Sequence, residues 1–311
     1  MTKIIYFVDL HYGRNSSDGI LHKSDLSLYG ERAIDLVHAI HGYAGRNNVD
    51  IVICGGDEAN FTPVPGKHLE RAKWISSQID SIPASHVYRQ IGNHEPLAHL
   101  TELGLLSSKT AHSINRNQLM LLRPEISLTD QGKAIYSYDG VSLIDSARKK
   151  LAQKTSKSLI LAGHWAFDRQ QAGYPERSHP HDKGYFYQDN LSQLFNFLCD
   201  EGRKEQRIIL SLHGHEHRFR MANSGSYSCI TMPAITQTYI PHDNDNNDYK
   251  GPCGLFVEIT DETPDGTVRY DFKQVVIPDW KIADYDAFDI EPQDVPLEYM
   301  RKYERPIIKV A

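Results

Sequence analysis

Apolar residues fall along the chain in short blocks that switch between two periods. Lys3–Val8 is a strand-length apolar run, and Leu26, Tyr29, Ala33, Val37 and Ile40 then recur at helical spacing within Ser24–Gly42. The alternation repeats: Asp50–Cys54 is strand-like, Leu69, Ala72, Ile75, Ile79 and Ile82 mark a second helix, and Val87–Ile91 a third strand. A βαβαβ pattern predicts a largely parallel sheet. Ala134–Tyr138 and Val141–Asp145 flank Asp139-Gly140, a pair favoured in two-residue hairpin turns, so the spacing predicts antiparallel strands there. Ser158–Ala162, a helix over Gln188–Asp200 and Ile208–Leu212 restore the alternation, and Tyr227–Thr231, Leu255–Ile259 and Val268–Ile277 read as strands. The expected fold is α/β: two packed mixed β-sheets flanked by helices, in one domain over residues 1–277. Residues 278–311 carry Pro278, Pro292, Pro296 and Pro306 among charges and aromatics, and read as an arm. It packs on its own domain or on a second subunit, so a homo-oligomer built through it stays open.

Composition narrows the partners. A length of 311 residues leaves ample chain for a buried core, and a net charge of −6 gives no basic excess for DNA or anionic membranes. Nucleic acid is not indicated, although a local basic groove stays open. The longest apolar runs are far below the ~20 residues of a membrane span, and Met1–Leu10 reads as a core strand rather than a signal peptide. Cys54, Cys199, Cys229 and Cys253 form no C-x-x-C pair, which fits reduced thiols. The expectation is a cytoplasmic protein with no membrane partner. The run Asp243–Asp248 imitates a calcium loop, but Asp248 stands where the turn needs Gly and Gly254 where the bidentate Glu belongs, so it reads as a solvated loop.

The 16 histidines are many for the side chain most used as metal ligand and proton shuttle, and several sit just beyond strand ends. Five such tips carry ligand-type residues: Asp9-Leu10-His11, Gly55-Gly56-Asp57, Gly92-Asn93-His94-Glu95, Gly163-His164 and Gly214-His215-Glu216-His217. In open α/β sheets functional groups gather at these ends. Residues two apart in extended chain face the same way, which lets Asp9 with His11, and His215 with His217, share a centre. Carboxylate, imidazole and amide oxygen without thiolate suit divalent Mn, Fe, Zn or Ni. Seven ligands exceed one such ion and match two ions about 3.5–4 Å apart that share a carboxylate.

The ordered set D-x-H, G-D, G-N-H-E, G-H and G-H-x-H, running from Asp9 to His217, resembles the signature of the calcineurin-like metallophosphoesterase superfamily. The resemblance implies an αββα sandwich holding two divalent metal ions. Asp9, His11 and His217 would hold one metal, Asn93, His164 and His215 the other, and Asp57 both. His94 would be catalytic, protonating the leaving oxygen or neutralising its charge. The implied activity is phosphoester hydrolysis by hydroxide held between the metals, on a small phosphorylated substrate. Ser/Thr protein phosphatases follow the bridging Asp with Asp-Arg-Gly, where this chain has Glu58-Ala59-Asn60, and purple acid phosphatases place a Tyr where it has Asn60. Small phosphodiesters or nucleotides are therefore the expected substrates; a phosphomonoesterase or protein phosphatase, or a nuclease of the same superfamily, are the alternatives.

Four further residues are candidate substrate contacts. Arg14 and Arg218 stand close in sequence to metal ligands, and His179 and His181 lie in the loop Ala166–Tyr187 that follows His164. His213 reads as packing behind the ligands, and Trp165 either stacks a base or fills the core. His22, His38, His41, His68, His86, His99 and His112 read as structural.

Overall fold

The computed structural model describes residues 2–13, 33–60, 66–106, 111–114, 117–128, 130, 134–153, 158–165, 186–187, 191–204, 208–215, 220–232, 234–235, 255–261, 268–274 and 293–294. The first half runs β1 (Thr2–Phe7), α1 (Ala33–Asn47), β2 (Ile51–Cys54), α2 (Lys67–Asp80), β3 (His86–Arg89), β4 (Ala111–Ile114), β5 (Asn117–Leu121), β6 (Glu125–Leu128) and β7 (Ala134–Ser137). The second runs α3 (Gly140–Leu151), β8 (Ser158–Ala162), β9 (Phe186–Tyr187), α4 (Leu191–Lys204), β10 (Ile208–His213), β11 (Arg220–Ser224), β12 (Tyr227–Thr231), β13 (Leu255–Asp261), β14 (Val268–Gln274) and β15 (Gln293–Asp294).

Two six-stranded mixed sheets form the body, in the orders β15-β14-β13-β1-β2-β3 and β11-β12-β10-β8-β5-β4; β6-β7-β9 make a small third sheet. In the first, β1, β2 and β3 are parallel and β13 pairs antiparallel with β1. In the second, β5, β8, β10 and β12 are parallel between antiparallel edges. The period of two decides the layers. Ile4, Tyr6, Val8, Ile51 and Ile53 face Leu119, Leu121, Ile160, Leu210 and Leu212 across the inter-sheet core. The alternate residues Ile5, Phe7, Val52 and Cys54 belong to the helix-side core with Leu36, Ile40, Ile75 and Ile79. Behind the second sheet, Leu159, Leu161 and Ile209 share that kind of environment with Leu194, Leu198 and Leu151. The expected α/β sandwich of two mixed sheets with outer helices is the fold observed.

One local expectation is overturned. Asp139-Gly140 does not turn a hairpin; Asp139 caps α3, its carboxylate accepting from Ser142 N at 3.1 Å. A capping Asp and a hairpin Asp look alike in sequence. The helical spacing of buried Gly140, Ala147 and Leu151, with basic Arg148, Lys149 and Lys150 in the last turn, decides for helix. β7 instead pairs with β6. Helix α1 runs past Gly42 to Asn47, while residues 14–32, where the sequence pattern starts that helix, lie outside the described residues. The edge strands β4, β6 and β11 had no clear alternation to announce them. Within 278–311 the described residues are Gln293 and Asp294, which pair with Gln274 and Lys273 on the edge of the first sheet. No described helix is long and apolar enough to cross a membrane, and Cys54, Cys199 and Cys229 are buried thiols.

Candidate metal centre

The two sheets deliver their strand tips to one place. Tyr6 Oη donates to Gly163 O at 2.8 Å in the buried space between β1 and β8. Gly55 is needed beside it, because a Cβ there would fall 2.3 Å from Tyr6 Oη. Beyond the strands the chain stays paired: Asp9 N donates to Gly56 O (3.1 Å), His11 N to Asp57 O (2.9 Å) and Tyr12 N to Glu58 O (2.9 Å). This ladder sets Asp9 and His11 beside Asp57.

Side-chain direction comes from backbone twist, not from the extended alternation that the sequence suggests. Asp9 (φ 57°), His11 (φ 47°), Asp57 (φ 54°) and His215 (φ 70°) are four of the five non-glycine residues in the left-handed region among the described residues. Each such residue costs about 1–3 kcal/mol, which persists where the surrounding structure imposes it. The strain is therefore concentrated on the candidate ligands.

Asp57 is the hub. Its Oδ2 lies 3.4 Å from His164 Nε2, 3.7 Å from His11 Nε2 and 4.0 Å from His94 Nε2. Its Oδ1 accepts from His94 N at 2.8 Å. Ligand atoms of His11, Asp57 and His94 lie within 4.8 Å of one another, as do those of Asp57, His164 and His215, so one carboxylate serves both groups. Asn93 joins the second group, its Oδ1 3.2 Å from His164 Nε2. His164 Nδ1 is 3.0 Å from Gly55 O, a contact that aims Nε2 at Asp57. Asp9 is fully buried and sits to one side, its Oδ2 accepting from His215 N at 2.8 Å and its Oδ1 3.8 Å from His164 Nδ1. His94 stands closer to His11 and Asp57 than a purely remote proton donor would, with its ring edge-on to His11 at 4.6 Å.

The electrostatics agree with a cation site. Burial alone would raise the Asp57 carboxyl, yet His164, His94 and His11 outweigh it and hold the group well below the usual carboxylate range. Burial would lower the His164 imidazole, but Asp57, Asp9 and Glu95 push it up to about 9. Imidazoles and carboxylates without thiolate fit borderline divalent ions, so the donor set fits two such cations with Asp57 between them.

Behind the ligands lies a polar layer that sequence reasoning missed. Glu95 accepts from Glu58 N at 2.8 Å and from Gly92 N, so it staples the Asp57 loop to the Asn93 loop. Burial, then the charges of Asp57 and Glu58, push its carboxyl up to about 8. Glu58 turns the other way, accepting from Ser76 Oγ (2.8 Å) and Arg89 Nη1 (3.1 Å), while Arg89 also bonds Asp80 Oδ1 (2.9 Å) and the Leu103 carbonyl. Burial raises the Glu58 carboxyl against the pull of Arg89. The available signal was an arginine at the end of β3, in register with Cys54 at the β2 tip. Gly92 closes the layer, since a Cβ there would fall 2.1 Å from Asp57 Oδ1. Gly92→Ala is expected to displace that carboxylate and lower bound metal by about tenfold or more with an unchanged far-UV spectrum; full metal content would contradict the tight fit.

Trp165 fills the core: it is 2 % exposed, with its ring 4.6 Å from Tyr136 and 4.8 Å from His164. His213 is fully buried, and burial lowers its imidazole to about 3, so it is a neutral packing residue. His68, read from sequence as structural, is hydrogen-bonded to the main chain of His94. His217, Arg14, Arg218, His179 and His181 lie outside the described residues.

No protein-family model matches the chain, and no curated protein matches its sequence. Among solved structures it is similar to a dimetal phosphatase from Danio rerio, at 13 % identity and TM-score 0.53, covering 83 % of this chain and 92 % of that one. Weaker likenesses are to the phosphopantetheinyl hydrolase of Mycobacterium tuberculosis (12 % identity, TM-score 0.42, 75 % of this chain and 90 % of that one) and to a purple acid phosphatase of yellow lupin, Lupinus luteus (13 %, 0.46, 94 % and 52 %). With its two mixed sheets, its outer helices and its His/Asp cluster at the strand tips, the chain has the calcineurin-like metallophosphoesterase fold.

Proposed function

We propose that the protein is a dinuclear metal-dependent phosphoester hydrolase acting on small phosphodiesters or nucleotides. The observation that carries this reading is the single carboxylate, Asp57, shared by two histidine groups at the joint tip of both sheets. Two divalent cations held there would supply Lewis acidity, making hydroxide available near neutral pH and neutralising the nonbridging phosphate oxygens. Asp57 would serve both cations, with His164 held in orientation by Gly55 O and His11 and His215 closing the two groups. His94, with 30 % of its side chain exposed, reaches solvent beside the cluster, where it can hold a proton for the leaving oxygen. His217 completes the set in this reading, and Glu58-Ala59-Asn60 after Asp57 favours diesters over the monoester alternatives.

The test compares hydrolysis of bis-p-nitrophenyl phosphate and p-nitrophenyl phosphate with Mn, Fe, Zn or Ni added. Faster turnover of the diester supports the reading; activity on the monoester alone overturns the substrate class, and metal uptake without turnover of either ester overturns the hydrolase. His94→Ala should lose about 10²–10⁴-fold in kcat on an alkyl ester, a poor leaving group, while keeping its metal. Near-full kcat with that ester would remove His94 from the reaction.

A further inference from the structure

On the His94 side of the centre, side chains that metal binding does not use line up along α2. The His68 ring is hydrogen-bonded to the His94 main chain and feels the charges of His94 and Arg71. Arg71, three residues on, lies directly over Gly13: a Cβ on that glycine would fall 2.6 Å from Arg71 Cδ and Nε and 2.9 Å from Cζ. Gly13 follows His11 by two residues, so Arg71 is held against the same loop that carries His11. Three residues further, Trp74 stacks on Tyr12, with centroids 4.8 Å apart and an interplanar angle of 29°. Positions three apart on a helix are neighbours on its surface, which makes His94, His68, Arg71 and Trp74 a track leading outward from the cluster. Trp74 is 40 % exposed, although the stripe α2 buries is Ala72, Ile75, Ser76 and Ile79. Trp74 therefore stands outside that stripe, with one face backed by Tyr12 and 40 % of the residue exposed.

We propose that this flank of α2 is a subsite for a nucleotide leaving group, with the base stacked on Trp74 and its phosphate bonded by Arg71. A guanidinium fork matches phosphate oxygens, and a backed aromatic ring accepts any base through its π-face. The assignment to the leaving side rests on the hydrolase reading above, because there His94 serves the leaving oxygen; binding of the nucleotide does not. A fitting substrate is a dinucleoside pyrophosphate. Water adds its hydroxyl to one phosphorus, the P–O bond to the bridging oxygen breaks, and that oxygen leaves on the second nucleoside monophosphate with the proton.

The experiment has a binding arm and a turnover arm, both on the full metal-loaded chain. Adenosine 5′-monophosphate, ribose 5-phosphate and adenosine are titrated calorimetrically into the wild type, Arg71→Gln and Trp74→Leu. The subsite predicts a crossed pattern: Arg71→Gln weakens the two phosphates by about tenfold or more but spares adenosine, and Trp74→Leu weakens the two adenine compounds but spares ribose phosphate. In turnover, both variants should lose at least about tenfold more kcat/KM on diadenosine pyrophosphate than on bis-p-nitrophenyl phosphate. Uncrossed or equal losses, or adenosine 5′-monophosphate binding that neither variant changes, overturn the subsite. If the wild type hydrolyses neither ester, the hydrolase reading falls while the crossed binding pattern still decides the subsite.

Discussion

Asp57→Asn is expected to abolish hydrolysis, with a loss of at least about 10³-fold in kcat/KM, and to leave both cation positions short of metal after gel filtration. The amide keeps the shape of the side chain, so packing at the strand tip survives. It removes the negative charge that His11, His94 and His164 surround and that both histidine groups share. Electrostatic stabilisation by the metals is worth several kcal/mol in the transition state, and each 1.4 kcal/mol is about tenfold in rate. An amide nitrogen turned toward His164 would also repel a ring whose two nitrogens already face acceptors. Metal content should be read by atomic emission alongside activity. Two tightly held metals in the variant would mean that Asp57 is not shared, and would sink the dinuclear reading.

The largest expected effect on stability belongs to Arg89. Its side chain is 10 % exposed and bonds Glu58, Ser76, Asp80 and the Leu103 carbonyl, tying β3, α2, the Asp57 loop and the segment after Asn93 together. Arg89→Met leaves the Glu58 carboxyl, 2 % exposed, without its cation. Breaking a buried pair from one side costs about 3–5 kcal/mol, which urea unfolding would resolve as a lower midpoint at constant slope. Glu58→Gln in the Arg89→Met background should recover part of the loss, because the stranded charge is gone. A loss below about 1 kcal/mol for Arg89→Met would place the pair among surface-like ion pairs.

Much of the fold was legible because buried parallel strands announce themselves. Lys3–Val8, Asp50–Cys54, Ser158–Ala162 and Ile208–Leu212 are short apolar runs with ligand-type residues immediately after them, and β1, β2, β8 and β10 occupy nearly the same spans. Edge strands such as β6, with three of its four residues exposed and the fourth half-buried, carry no such signal. The Asp139 cap was misread because a short polar side chain followed by Gly serves either a turn or a helix start, and the deciding apolar spacing lies downstream. At the site, ligand types could be read from single motifs. The shared role of Asp57 depends on distances between segments far apart in sequence. The Glu95 staple and the Arg89 anchor were hidden for the same reason: each acts through main-chain N–H groups or a partner on another element, and residue type alone does not say which.

The hydrogen bond from His215 N to Asp9 Oδ2 spans 206 residues of chain. Asp9 leaves the ribosome well before the backbone group that holds its carboxylate, which follows only once β10 of the second sheet has been synthesised, with β11 to β15 still to come. A nascent chain shorter than that can form the β1-β2-β3 ladder but presents an unfinished cluster, so metal capture during synthesis must wait until the second sheet docks. Long-range closure of this kind also slows folding. Added divalent metal should then accelerate refolding only in its late phase, after the sheets have met, and early compaction should proceed at the same rate with or without it.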